Sequence, residues 1–229
     1  QITKIRECMQ QECDTKRNPK RKAGCDLVTE SRLPVPNGSR QRKPGPIRVL
    51  EICTWSCMIG LVASSLGWEA WEPITLPGYD LSTPGGRNEA RKYLERLDPD
   101  FVVMAPRCTE WSQMQNINQR TPIQVRALRR RRHQQRVVLS FMDEVAQWQH
   151  ERGRHGDRTA WMLENPLRSL AWHQSPLRAT AAMTDVGTDV TDACVWEKRR
   201  PDTKELIKKP TKVIGTPEVV SNIDRRCSK

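Results

Sequence analysis

No stretch of this 229-residue chain stays apolar for the roughly 20 residues a bilayer requires, so no membrane-spanning helix and no membrane partner are expected. No charged and apolar secretory leader opens it, and Gln1 as the first residue points to a piece of a longer polypeptide. Also missing is any paired-cysteine knuckle with a nearby histidine: the eight cysteines fall at irregular spacings, several inside apolar runs. This argues against a disulfide framework and for reduced thiols in an intracellular, reducing setting, cytosolic or nuclear. Cys8, Cys13 and Cys25 accordingly read as exposed thiols, and no metal site is expected. No internal repeat is present. Acidic charge is in short supply, with 27 Asp+Glu against 39 Lys+Arg and a net charge of +12. Such a field favours a polyanion such as nucleic acid over acidic small molecules.

With 36% hydrophobic residues and a mean hydropathy of -0.73, the chain has material for one domain with a real core and a well-solvated remainder. Residues 1–46 are rich in Lys, Arg, Pro and Gly without a sustained apolar period. They are expected to form a basic disordered segment or linker, since they cannot bury enough surface to offset ordering entropy. Residues 47–229 form the expected domain. There, short apolar runs alternate with amphipathic stretches, which predicts an α/β fold with a mainly parallel sheet.

Strands are predicted at 47–53, 69–74, 101–105 and 160–163, with two closing strands at 190–196 and 211–214. Met58, Leu61, Val62 and Leu66 make a helical stripe ending at Gly67, and Ala90, Tyr93, Leu94 and Leu97 make another after Thr83-Pro84. A longer helix starts at Thr121-Pro-Ile-Gln124, which combines a threonine cap, a proline at the first position and a capping-box glutamine. Within that helix Arg129-Arg-Arg-Arg132 reads equally as a wet face or as a phosphate contact. The tryptophans, among them Trp68, Trp71, Trp148 and Trp172, read as packing residues, because they are not interleaved with a basic strand face.

Two strand ends carry the chemistry. The apolar run Phe101-Val-Val-Met-Ala105 delivers Cys108 into a loop behind Pro106, and Trp161-Met-Leu163 delivers Glu164 just before Asn165-Pro166. A thiol and a carboxylate at neighbouring strand ends are the reagents of covalent catalysis. Arg107, beside the thiol, is placed to favour its thiolate.

These segments resemble, in order, the motifs of the cytosine-5 DNA methyltransferases, and more closely the methyltransferase-like modules of retroelement polyproteins. The resemblance spans roughly 48–227. Leu50-Glu-Ile-Cys-Thr-Trp-Ser-Cys-Met58 stands where the family has its first strand and the glycine loop for S-adenosylmethionine. Glu72 matches the carboxylate that holds the cofactor ribose, and Asp80 the acid near the adenine. Ala105-Pro-Arg-Cys-Thr-Glu-Trp-Ser112 resembles the nucleophile motif, and Glu164-Asn-Pro166 the motif with the base-gripping glutamate. Cys194-Val-Trp-Glu-Lys-Arg-Arg-Pro201 and Lys209-Pro-Thr-Lys212 resemble the closing strands of the retroelement version.

The resemblance implies a class I methyltransferase (Rossmann-like) fold with helices on both faces of the sheet and antiparallel closure near the C-terminus. It also implies S-adenosylmethionine as cofactor, held by Glu51, Cys53, Thr54, Ser56, Glu72, Asp80 and Pro106, and DNA rather than RNA as partner. Cys108 would add to carbon 6 of an extruded cytosine, and Glu164 would stabilise the protonated ring nitrogen. The chain departs from the pattern at Trp55, Cys57 and Met58, which replace loop glycines, and at Arg107, which replaces the second proline of Pro-Pro-Cys. Side chains in a glycine loop obstruct backbone approach to the cofactor, and a lost proline slackens the nucleophile loop. An inactive enzyme, a non-catalytic nucleic-acid-binding module and an eroded copy on the same fold therefore stay open beside an active enzyme.

Overall fold

A computed structural model describes residues 32–34, 45–54, 58–196, 199–200, 202–223 and 225–227. All of them belong to one compact unit, Ser31–Lys229. Most of the expected linker 1–46, with Cys8, Cys13 and Cys25, lies outside the described residues, as do Trp55, Ser56, Cys57 and the Met58 side chain. Within that stretch Leu33 is described, and it is buried against the core, its N–H donating to Glu144 Oε1 at 2.8 Å.

Six strands form one sheet: β1 (Arg48–Ile52), β2 (Glu69–Ala70), β3 (Phe101–Met104), β4 (Ala160–Pro166), β5 (Gly187–Asp192) and β6 (Pro210–Gly215). Their order is β2-β1-β3-β4-β6-β5. The first four are mutually parallel, and β6 runs antiparallel to both β4 and β5. Strand β2 is shorter than the predicted 69–74, because Pro73 has no N–H for the ladder; a single bridge, Ile52 to Ile74, resumes the pairing. The predicted strand 190–196 is shifted as well: β5 ends at Asp192, and Ala193–Trp196 is a 3₁₀ turn.

The register places Leu50, Val102 and Trp161 in one row and Ile52, Met104, Leu163 and Ile214 in another, on one face of the sheet. This face is the main core, packed with Ala90 and Leu94 of α2 (Pro84–Leu97), with Leu139, Met142 and Val145 of α4 (Pro122–Arg154), and with Leu177 of α5 (Ser175–Ala181). On the opposite face Val49, Val103 and Val213 are also buried. There α1 (Met58–Ser65) approaches through Gly60, and α6 (Pro217–Val220) lies against Gly187. Burial on both faces is what a largely parallel sheet with helical crossovers requires.

Helix starts follow the sequence signals. Thr83 accepts from the Gly86 N–H, and the Thr121–Gln124 capping box is formed in both directions. The α1 stripe does not follow the prediction: Val62 and Leu66 are 53% and 61% exposed. The helix instead meets the sheet through small residues, Gly60 and the buried Ala63, which turn the larger apolar side chains outward.

Candidate active site at the carboxyl edge of the sheet

The chain leaves β3 through Ala105 and the buried Pro106, then forms a 3₁₀ turn at Thr109–Trp111 with Cys108 at its N-cap, followed by the short α3 (Met114–Asn118). The Cys108 carbonyl accepts from the Trp111 N–H at 3.0 Å, which sets the thiol at the start of the turn. A long-range contact holds the loop to the neighbouring strand. Asn165, 1% exposed in β4, donates from Nδ2 to the Pro106 carbonyl at 2.8 Å. This hydrogen bond ties the nucleophile-like loop to the Glu164-Asn-Pro strand end. Cys108 and Pro166 consequently line one cleft of about 290 Å³, together with Ser112, Gln113, Met114, Arg168 and Ser169.

Glu164 does not line that cleft. It is half-buried in β4, opposite Val213 of β6. Strand alternation puts it on the sheet face shared with Met162, and the register carries that row through Val103 to Glu51. Glu164 and Glu51 thus occupy one face, and Asn165 the other.

At the end of β1, Glu51 is 3% exposed, and its Oε1 accepts from the Gly60 N–H at 2.5 Å. Its Oε2 is buried without a hydrogen-bond partner. A Cβ on Gly60 would meet Glu51 Oε1 at 3.2 Å, so glycine permits this close approach. Cys53 follows with a positive φ of 58°, donating its N–H to the Ile74 carbonyl at 2.9 Å. Burial pushes its thiol up to about 12. Thr54 is buried next to it. Ser56 is outside the described residues.

Glu72 lies two residues past β2 with an exposed side chain, and its carbonyl accepts from the Tyr93 hydroxyl at 3.1 Å. Asp80 is a turn residue. Its Oδ1 accepts from the Ser82 N–H at 3.0 Å and the Ser82 hydroxyl at 2.6 Å, while its carbonyl accepts from the Thr83 N–H at 3.0 Å. These bonds shape the entry to α2, a structural task visible in the local Asp-Leu-Ser-Thr sequence.

The surroundings of Cys108 include Glu110 and Asn116, to which the reading of the sequence assigns no role. Arg107 is exposed and pairs with Glu110 Oε2 at 3.7 Å, so a carboxylate offsets the charge expected to act on the thiol. Arg132 is separated in role from the other arginines of its run. Its Nε donates to the Glu110 carbonyl at 2.8 Å, its guanidinium reaches Asn116 Oδ1 at 2.8 Å, and it lies 5.8 Å from the Trp111 ring centroid. Desolvation lowers its pKa from the usual arginine value. Arg129, Arg130 and Arg131 are exposed. The signal for the Asn165 tether was present, a lone amide inside an apolar strand, but its partner 59 residues away was not readable from sequence.

Among the described residues no cluster of three or more His, Cys, Asp or Glu is arranged to hold a metal ion, and no helix is long and apolar enough to cross a membrane. No family model matches the chain, and no curated protein does. Among solved structures it is similar to the Entamoeba histolytica methyltransferase EhMeth, at 12% identity over 76% of this chain and with a TM-score of 0.38. The chain spans 54% of that protein's length.

Proposed function

We propose that this chain is a cytosine-5 methyltransferase-like domain on a class I methyltransferase fold, derived from a retroelement polyprotein, that binds S-adenosylmethionine and engages a DNA cytosine through Cys108. The observation that carries this reading is the hydrogen bond from Asn165 Nδ2 to the Pro106 carbonyl, 2.8 Å long, which joins the two strand ends whose motifs supply thiol and carboxylate. The antiparallel placement of β6 near the C-terminus accords with the closure that the motif resemblance implies.

The cofactor carries an ammonium group and a ribose diol, and the residues present fit both. Glu51 Oε2, buried at the end of β1 without a hydrogen-bond partner, is a suitable acceptor for the ammonium. The exposed Glu72 carboxylate, past the end of β2, is suited to the diol. When bound, the cofactor would supply an electrophilic methyl group. Cys108 would add its sulfur to carbon 6 of the base, and Glu164, at the end of the adjoining strand but outside the Cys108 cleft, would have to turn toward the ring to accept from the protonated ring nitrogen 3, so that electron density builds at carbon 5. The base would enter from outside the stack, since Cys108 lines a cleft.

Covalent trapping on duplex DNA containing 5-fluorocytosine, with S-adenosylmethionine present, tests the reading. Cross-linking is expected with the native chain and lost in Cys108→Ala; cross-linking that survives this substitution assigns the wrong thiol. Calorimetric titration with S-adenosylmethionine tests the cofactor separately. Tighter binding after Trp55→Gly and Cys57→Gly is expected, and absence of binding in both proteins refutes the cofactor assignment.

A second reading, a non-catalytic nucleic-acid-binding module, is favoured by the exposed Arg126, Arg129, Arg130 and Arg131 on α4. It predicts salt-sensitive duplex affinity that Cys108→Ala leaves intact, with no trapping by any variant.

A further inference from the structure

Strand β5 ends at Asp192, which is fully buried, and Cys194 follows two residues later in the 3₁₀ turn. The segment 225–227 runs back against this point. The Asp192 N–H donates to the Arg225 carbonyl at 2.9 Å, and the Thr191 hydroxyl donates to the same carbonyl at 3.3 Å. Asp192 Oδ2 accepts from the Cys227 N–H at 2.9 Å and pairs with Arg226 Nε at 3.1 Å. One buried carboxylate therefore fixes the backbone of Cys227 beside the turn that carries Cys194.

The two side chains meet there. A hydrogen bond between the thiols, with burial second, raises the Cys194 thiol above its ordinary value. Cys194 is 7% exposed, whereas Cys227 is half-buried and the more accessible of the two. By contrast Cys53 is half-buried against apolar neighbours, with its thiol held up to about 12.

We infer that Cys194 and Cys227 form an oxidation site, a dithiol that a hydroperoxide converts to a disulfide fastening the C-terminal segment to the end of β5. In the first step the Cys227 sulfur attacks a peroxide oxygen. The O–O bond breaks, an S–O bond forms, and water leaves carrying the Cys227 proton, so that Cys227 becomes a sulfenic acid. The Cys194 sulfur then attacks that sulfur, and the displaced hydroxide takes up the Cys194 proton as a second water. Two thiols and one hydrogen peroxide give one disulfide and two waters. Preorganisation drives this chemistry: the Asp192 carboxylate holds the Cys227 backbone beside the turn that carries Cys194. The sulfurs need only close from hydrogen-bonded contact to the roughly 2 Å of a disulfide. The site is independent of Cys108 and of the function proposed above.

The test uses the full 229-residue chain, reduced and then exposed to excess hydrogen peroxide without denaturant, blocked with N-ethylmaleimide and digested for mass spectrometry. A cross-linked pair of peptides containing Cys194 and Cys227, lighter by two hydrogens and released by dithiothreitol, is expected. The thermal midpoint of the oxidised chain should rise by about 5–10 °C, as for a staple across a long loop. In Cys194→Ser, a dimedone adduct should accumulate on Cys227. A cross-link joining either residue to a different cysteine overturns the inference, as does maleimide labelling of both thiols after oxidation. So does zinc retained by the native chain but not by Cys227→Ser in native mass spectrometry.

Discussion

Replacing Asn165 with alanine removes the contact on which the geometry of the site depends. The amide is 1% exposed, and its Nδ2 donates to a carbonyl on the buried Pro106 at 2.8 Å. Losing one such bond costs about 0.5–1.5 kcal/mol, and leaving the carbonyl buried and unpaired adds about 1–3 kcal/mol. Part of this is returned, because Asn165 Oδ1 is itself buried without a hydrogen-bond partner and its desolvation cost disappears with it. The net expectation is a destabilisation of about 1–3 kcal/mol, measured as a lower urea midpoint at unchanged slope. The loop should also loosen, so that Cys108 is alkylated by iodoacetamide several-fold faster. Asn165→Asp discriminates further. Its carboxylate cannot donate when ionised, and burial raises its pKa in the folded state. Its stability should therefore be highest below the usual carboxylate range and fall as pH rises through the elevated value. A midpoint shift worth less than about 0.5 kcal/mol, together with unchanged Cys108 alkylation, would refute the tether.

Arg132→Gln should cost about 1–3 kcal/mol in chemical denaturation, because it removes the bonds to the Glu110 carbonyl and Asn116 and the contact with Trp111. Arg130→Gln, on the exposed face, should leave stability within about 0.5 kcal/mol but lower the salt dependence of duplex affinity by about one unit; equal effects of the two variants on stability would contradict the separation. The Cys53 thiol is held at about 12 against an ordinary 9.0, so its contribution to stability is intact below pH 9.0. Above that the unfolded chain ionises first, and stability falls by about 1.4 kcal/mol per pH unit until the folded thiol also titrates. Urea midpoints for the native chain and Cys53→Ser should converge as pH rises through this window, and parallel curves would show that the thiol is not so buried. Gly86→Ala should destabilise by about 2–3 kcal/mol or more, since its Cβ would stand 2.1 Å from the Asp80 carbonyl oxygen, a backbone atom with little room to yield. A thermal midpoint within a degree or two of the native chain would mean that the Asp80 turn is more compliant than its hydrogen bonds imply.

What could be read from sequence was the local part. Thr83-Pro84 and Thr121-Pro-Ile-Gln124 announce their helices because a cap satisfies backbone donors within one turn, and both caps are formed. The apolar runs gave β1, β3 and β4 for the same reason, since strand burial shows as β-branched and aliphatic density. The outward turn of Val62 and Leu66 was not readable, because periodicity marks an apolar face but not whether Gly60 and Ala63 will occupy the sheet first. Pro73 lies inside the predicted strand 69–74 and has no N–H to give the ladder, and β2 stops short of it at Ala70.

The sequence by itself determined which residue types arrive at the carboxyl ends of β3 and β4, because strand, proline and polar residue are adjacent along the chain. It also determined the net charge of +12, on which the expectation of a polyanionic partner rests. Only the tertiary structure decided that Asn165 rather than Glu164 reaches the Cys108 loop, that Arg132 supports Glu110 while its neighbours face solvent, and that Cys194 meets Cys227 over Asp192. Each of these depends on strand register and on contacts between segments distant in sequence, where a shift of one residue would send every side chain to the opposite face of the sheet.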